Sequence, residues 1–88
     1  MPQQNSFSIE STIEFVFENS QERDFSYNSF LPEFNKLQTK RSKVHMEKIG
    51  SSLFFKISCS DITAFRATVS DIIGLGKIIS NTIELCNK

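Results

Sequence analysis

The chain has no tryptophan, one histidine, two cysteines, two prolines and three glycines in 88 residues. Each scarcity removes a class of function. His45 together with Cys59 and Cys86, which are far apart in sequence, offers no metal-ligand spacing and no disulfide framework. Both cysteines stand in apolar-patterned segments and read as free, buried thiols of an intracellular protein. Gly74-Leu75-Gly76 is no phosphate-cradling loop, because it has neither a strand before it nor a helix start after it. No nucleophile has a base beside it: Ser42 and His45 are three apart on a strand and face opposite sides. Asp61 and Asp71 read as a helix cap and a helix surface rather than as paired catalytic acids. The residues thus predict no enzyme, no cofactor and no metal.

Net charge is also lacking. Ten Lys and Arg cancel ten Asp and Glu, which argues against a dedicated nucleic-acid binder, since such affinity comes mainly from neutralised phosphates. The charges are nevertheless segregated. Glu10, Glu14, Glu18, Glu22 and Asp24 crowd the first quarter, and Lys36, Lys40, Arg41, Lys43 and Lys48 the middle. No apolar run reaches membrane length and no targeting pattern opens the chain, so the expected location is cytoplasmic, and nuclear as well in a eukaryote. A single domain of this length buries only about two-thirds of its unfolded surface, so covering more by self-association would help it.

What is present is alternation, then helical periodicity. Residues 1–10 read as a polar, flexible N-terminal tail with Phe7 and Ile9 as its anchors, and 11–88 as one domain. Thr12 to Glu18 alternates, with Ile13, Phe15 and Phe17 on one face: a half-buried strand. Asn19 is a helix N-cap candidate with Glu22 in capping-box position. Tyr27, Phe30, Leu31 and Phe34 follow at helical spacing, and Pro32 predicts that this helix ends near Leu31 after roughly three turns. Arg41 to Ile49 alternates again, Val44 and Met46 against Lys43, His45 and Glu47. Gly50-Ser51-Ser52 reads as a hairpin turn into Leu53–Cys59, with Leu53, Phe55, Ile57 and Cys59 inward and Phe54 outward. Ser60 and Asp61 cap a helix from about Ile62 to about Cys86. The fold class is α+β, in the order β-α-β-β-α: a three-stranded antiparallel sheet with two helices packed on one face.

The long helix carries the functional signal. At 100° per residue, Ile62, Phe65, Val69, Ile72, Ile73, Gly76, Ile79 and Ile83 share an arc that predicts the core stripe. Ala64, Ala67, Thr68, Leu75, Ile78, Thr82 and Leu85 form a second, largely apolar face with Asp71 as its only charge. A three-stranded sheet cannot hide both faces. Small residues at Ala64, Ala67 and Thr68 admit a close helix, and Leu75, Ile78 and Leu85 can anchor it. A partner on that face is the expectation; the competing reading is that the first helix covers it internally. Lys40, Arg41 and Lys43 form a basic strip, read either as a solvated edge that discourages aggregation or as a contact for phosphates.

Arg41-Ser42-Lys43, the hairpin into Leu53-Phe54-Phe55-Lys56-Ile57, and above all Asp61-Ile62-Thr63-Ala64-Phe65-Arg66-Ala67-Thr68-Val69 resemble the small dimerisation subunit of the KEOPS complex, the family related to the CTAG/LAGE antigens. Ser29-Phe30-Leu31-Pro32-Glu33 looks like that family's exit from its first helix. Phe65 departs from the pattern, since the family often has leucine there. The resemblance implies a non-catalytic subunit of a transferase complex that forms N6-threonylcarbamoyladenosine at position 37 of transfer RNA. It implies a homodimer made through the sheet, helices docked on the catalytic threonylcarbamoyl-transferase subunit, room for a further small KEOPS subunit, and transfer RNA held through the complex. Asp61, Thr63, Ala64, Arg66 and Ala67 are carried over as helix-start and partner-contact positions, with Thr68, Asp71, Leu75, Ile78 and Leu85 beside them as partner-binding. Arg41 and Lys43 are carried over as RNA contacts, and Lys40 joins them as a residue of the same basic strip. The alternative is a stand-alone KH-like RNA-binding domain, although the Gly-x-x-Gly loop of such domains is missing.

Overall fold

The computed structural model describes residues 9–86, the last two as backbone alone. The elements are β1 (Ile9–Val16), α1 (Ser20–Leu37), β2 (Ser42–Ile49), β3 (Ser52–Cys59) and α2 (Ile62–Cys86). The sheet is antiparallel in the order β1-β3-β2, so β3 is central. This is the expected β-α-β-β-α layout. β1 starts earlier than expected: Ile9 and Glu10, read from sequence as tail, pair with Cys59 and Ser58. The rest of the tail, Phe7 included, lies outside the described residues.

The central strand's alternation sets the core. Leu53, Phe55, Ile57 and Cys59 are all within 1% of full burial, as their inward spacing requires. Phe55 anchors an aromatic cluster, with Phe30 of α1 at 4.7 Å and Phe15 of β1 at 5.7 Å between centroids. These tilted and edge-on contacts suit ring quadrupoles. Val44 and Met46 fill the same layer from β2, and Ile72 and Ile79 close it from α2.

Two local signals act as read. Asn19 caps α1, its Oδ1 accepting the Glu22 N–H at 2.9 Å. Glu22 Oε1 reaches back, though to the N–H of Glu18 at 3.4 Å rather than to that of Asn19. Gly50 takes φ +59° at the first position of the two-residue turn between β2 and β3, the backbone that such a tight hairpin demands.

One signal is overridden. The helix does not end near Leu31; Pro32 sits inside it and α1 runs 18 residues to Leu37. Proline removes one N–H donor and crowds the preceding residue. Continuing the helix plants Leu37 in the core at 4% exposure, and burying a leucine is worth about 1.5–3 kcal/mol, comparable to the proline's cost. Beyond the helix, Gln38 does unforeseen work: its Oε1 accepts the Val44 N–H at 3.0 Å and its amide donates to the Val44 carbonyl at 2.6 Å. Together with the Thr39 N–H on the Ser42 carbonyl, this occupies backbone groups on the free edge of β2.

Candidate partner-docking surface

The N-terminus of α2 is built on Asp61. Its Oδ1 accepts the Ala64 N–H at 2.7 Å, and its Oδ2 meets Arg41 Nη1 at 2.9 Å. The Ala64 N–H, then the Arg41 guanidinium, hold this carboxyl below the usual range. The cap thereby ties the β2 approach to the helix start, a link reinforced by the Ser60 N–H on the Arg41 carbonyl. Arg41 therefore stands just before β2 and not on its face. Lys40, Lys43 and His45 are exposed, and Lys43 and His45 share the outer face of the sheet.

The core stripe of α2 is rotated from its expected position. Ala64 and Thr68, expected on the outward second face, are buried in the protomer at 6% and 5%. Ile62 and Ile73, expected inside, are 53% and 41% exposed. The end of α1, carried past Pro32, places Leu37 beside Ala64 and Thr68 on that flank, and Thr68 itself packs on β2. Thr68 completes a buried polar chain there, its hydroxyl donating to Ser42 Oγ at 3.0 Å, with Cys59 Sγ 3.3 Å beyond. Neither link was legible from sequence, because residues 42, 59 and 68 meet only once the strands and helix pack.

The other partner-contact candidates lie outward. Ala67, Asp71, Gly74 and Ile78 line one exposed flank of α2, with Ile78 64% exposed. Leu75 is half-buried and packs on the core. Arg66 is exposed on a neighbouring flank. Leu85 belongs to α2, but its side chain lies outside those described. Beside this flank a shallow groove of about 390 Å³ runs between Leu75 and Ile78 on one wall and Glu33, Lys36 and Leu37 of α1 on the other. The second face is thus divided: Ala64 and Thr68 are buried, Leu75 is half-buried, and Ala67 and Ile78 stay open.

A second open surface is the face of the sheet away from the helices. Across its three strands run the rows Glu14-Phe54-Glu47 and Val16-Ser52-Ile49. Val16 is 71% and Ile49 50% exposed, with Phe54 half-buried beside them. Two such aliphatics flanking an aromatic make an apolar patch at one end of an otherwise charged face.

Against the family models, the one described as transcription factor Pcc1 matches residues 10–84, from the second residue of β1 to near the end of α2. The chain belongs to the Pcc1 family. No curated protein matches it. Membership in the Pcc1 family makes the chain a KEOPS-associated accessory subunit, a partner of other KEOPS proteins in the setting of transfer-RNA modification. Among the described residues no three His, Cys, Asp or Glu side chains gather to hold a metal, and no helix is long and apolar enough to cross a membrane.

Proposed function

We propose that this protein is the scaffold subunit of a KEOPS complex, docking its two helices on the catalytic threonylcarbamoyl-transferase subunit and supporting threonylcarbamoylation of transfer RNA. Family membership supports the assembly, and the exposed flank Ala67-Asp71-Gly74-Ile78 with its groove against α1 supports this place on the molecule. The carrying observation is Ile78, an isoleucine left 64% exposed in mid-helix next to a groove. Covering such a side chain is worth about 1.5–3 kcal/mol to whatever covers it. The protomer contributes a surface and no chemistry. Homodimerisation through the outer sheet face covers Val16, Ile49 and Phe54, which leaves the helices free for the catalytic subunit. Lys40 and Lys43, exposed at the opposite end of the sheet from that patch, serve transfer RNA bound by the whole complex. Arg41 serves it only in part, because its guanidinium already pairs with Asp61. The protein works in the cytoplasm, and in the nucleus of a eukaryotic cell.

The test is co-purification with the catalytic subunit. Ile78→Asp and Ala67→Glu alter exposed positions only, so both should keep the wild-type circular dichroism and thermal midpoint yet lose the partner. Undiminished recovery of the partner with both variants rejects this surface.

A further inference from the structure

The last turns of α1 line grooves with the first half of α2, whereas its first turns face the end of α2. There a wedge-shaped cavity of about 350 Å³ opens between the first turns of α1, the last turns of α2 and the end of β1. Its floor and walls are apolar: Phe15, Phe17, Phe30, Ile79 and Ile83. Gly76 lies against the Phe15 ring and adds no side chain. The volume is at the lower end of the range for ligand sites and holds one or two large apolar side chains.

The rim has the opposite character. Glu18 at the entrance to α1, Glu22 in its first turn and Glu84 near the end of α2 surround the opening. Among the described residues no basic side chain lines it. Arg23, next to Glu22 in the sequence, is turned away onto Asp24 and the carbonyl of Gly50. An apolar slot ringed by carboxylates repels acidic segments, gives neutral ones no electrostatic help, and raises both on-rate and specificity for a cationic one.

We propose that this wedge binds a cationic amphipathic protein segment, inserting an apolar side chain among Phe15, Phe17 and Ile83 while its Lys or Arg residues meet Glu18 and Glu84. The site faces away from the groove beside Ile78 and involves none of its residues. Its success or failure is therefore independent of docking on the catalytic subunit.

The probes are two fluorescent 14-residue helical peptides, one of leucine and lysine and one of leucine and glutamate, titrated against the full-length protein by anisotropy. The leucine–lysine peptide should bind at least tenfold tighter, and its affinity should fall as salt rises. Amide shift perturbations in the complex should centre on Phe15, Phe17, Gly76 and Ile83. The double variant Glu18→Lys/Glu84→Lys, both exposed and expected to fold normally, should lose at least tenfold in affinity for the leucine–lysine peptide. The Glu18→Gln/Glu84→Gln pair should fall between. Equal binding of both peptides, or perturbations centred on Ile78 or on the outer sheet face, overturns the proposal. So does an affinity unmoved by the charge reversal.

Discussion

Gly76 of α2 rests against the ring of Phe15: a Cβ placed at residue 76 would lie 2.6 Å from Phe15 Cε1. That is too close for any methyl group, whereas a Cβ at Gly74, two residues earlier, would meet nothing within 4 Å. The two glycines of one helix should therefore answer the same substitution with opposite signs. Gly74→Ala should stabilise the protein by about 0.5–1 kcal/mol through helix propensity alone. Gly76→Ala gains the same propensity but must displace the Phe15 ring, at about 1–3 kcal/mol, and should be net destabilising. Urea denaturation of both variants beside wild type reads the difference; a stabilised Gly76→Ala would contradict the packing.

Ser26 is fully buried in α1, and its hydroxyl has no hydrogen-bond partner among the described residues. A buried hydroxyl without a partner pays desolvation for nothing in return. Ser26→Ala should stabilise the fold, by about 1 kcal/mol once helix propensity is included. A loss of stability in the same urea experiment would mean that the hydroxyl has a partner after all.

Asn19→Ala removes the side-chain oxygen that accepts the Glu22 N–H at 2.9 Å. The expected cost is about 1 kcal/mol. Hydrogen exchange should localise the loss to the first turn of α1, because the rest of the helix is held by Phe30 and Leu37.

Acid should weaken the protein through two carboxyls. Asp61 is held below its ordinary value of 3.8 chiefly by the Ala64 N–H, and Asp24 below its own chiefly by its hydrogen bond from Arg23. A carboxyl whose folded pKa is depressed contributes stability above its unfolded pKa and loses it as pH falls through the folded one. Thermal midpoints should thus hold steady above about pH 5 and drop below pH 3.8. Asp61→Asn keeps a capping oxygen but cannot titrate, and should flatten part of that drop. An unchanged acid profile in this variant would remove Asp61 from the account.

The outer sheet patch makes its own prediction. Val16→Lys and Ile49→Lys place charges at exposed positions and should leave the fold intact while abolishing self-association. Sedimentation at micromolar concentrations should show twice 10.1 kDa for wild type and 10.1 kDa for the double variant. A wild-type particle of monomer mass would sink dimerisation through this face.

How far the chain could be read before folding depended on the range of each interaction. Leu53, Phe55, Ile57 and Cys59 declare an inward strand face by period two, and Asn19 and Asp61 declare helix starts through hydrogen bonds spanning three residues. The Asp61–Val69 stretch carried the family. Those signals lie within a few residues of one another, so linear spacing contains them. Pro32 misled for the same reason: its local penalty is visible in the sequence, while the burial of Leu37 that offsets it is not.

The sequence by itself determined the element order, the strand faces and the family, all of which follow from local periodicity and caps. Tertiary structure alone decided which flank of α2 remains open. There Ala64 and Thr68 are buried, Thr68 on Ser42 of β2 with Leu37 of the extended α1 beside it, while Ile78 lies outside. It also decided that Glu18 and Glu84, far apart in the chain, share the rim of one apolar wedge. Both outcomes depend on contacts between residues far apart in the chain, such as Gly76 against the Phe15 ring, which no spacing along the chain encodes.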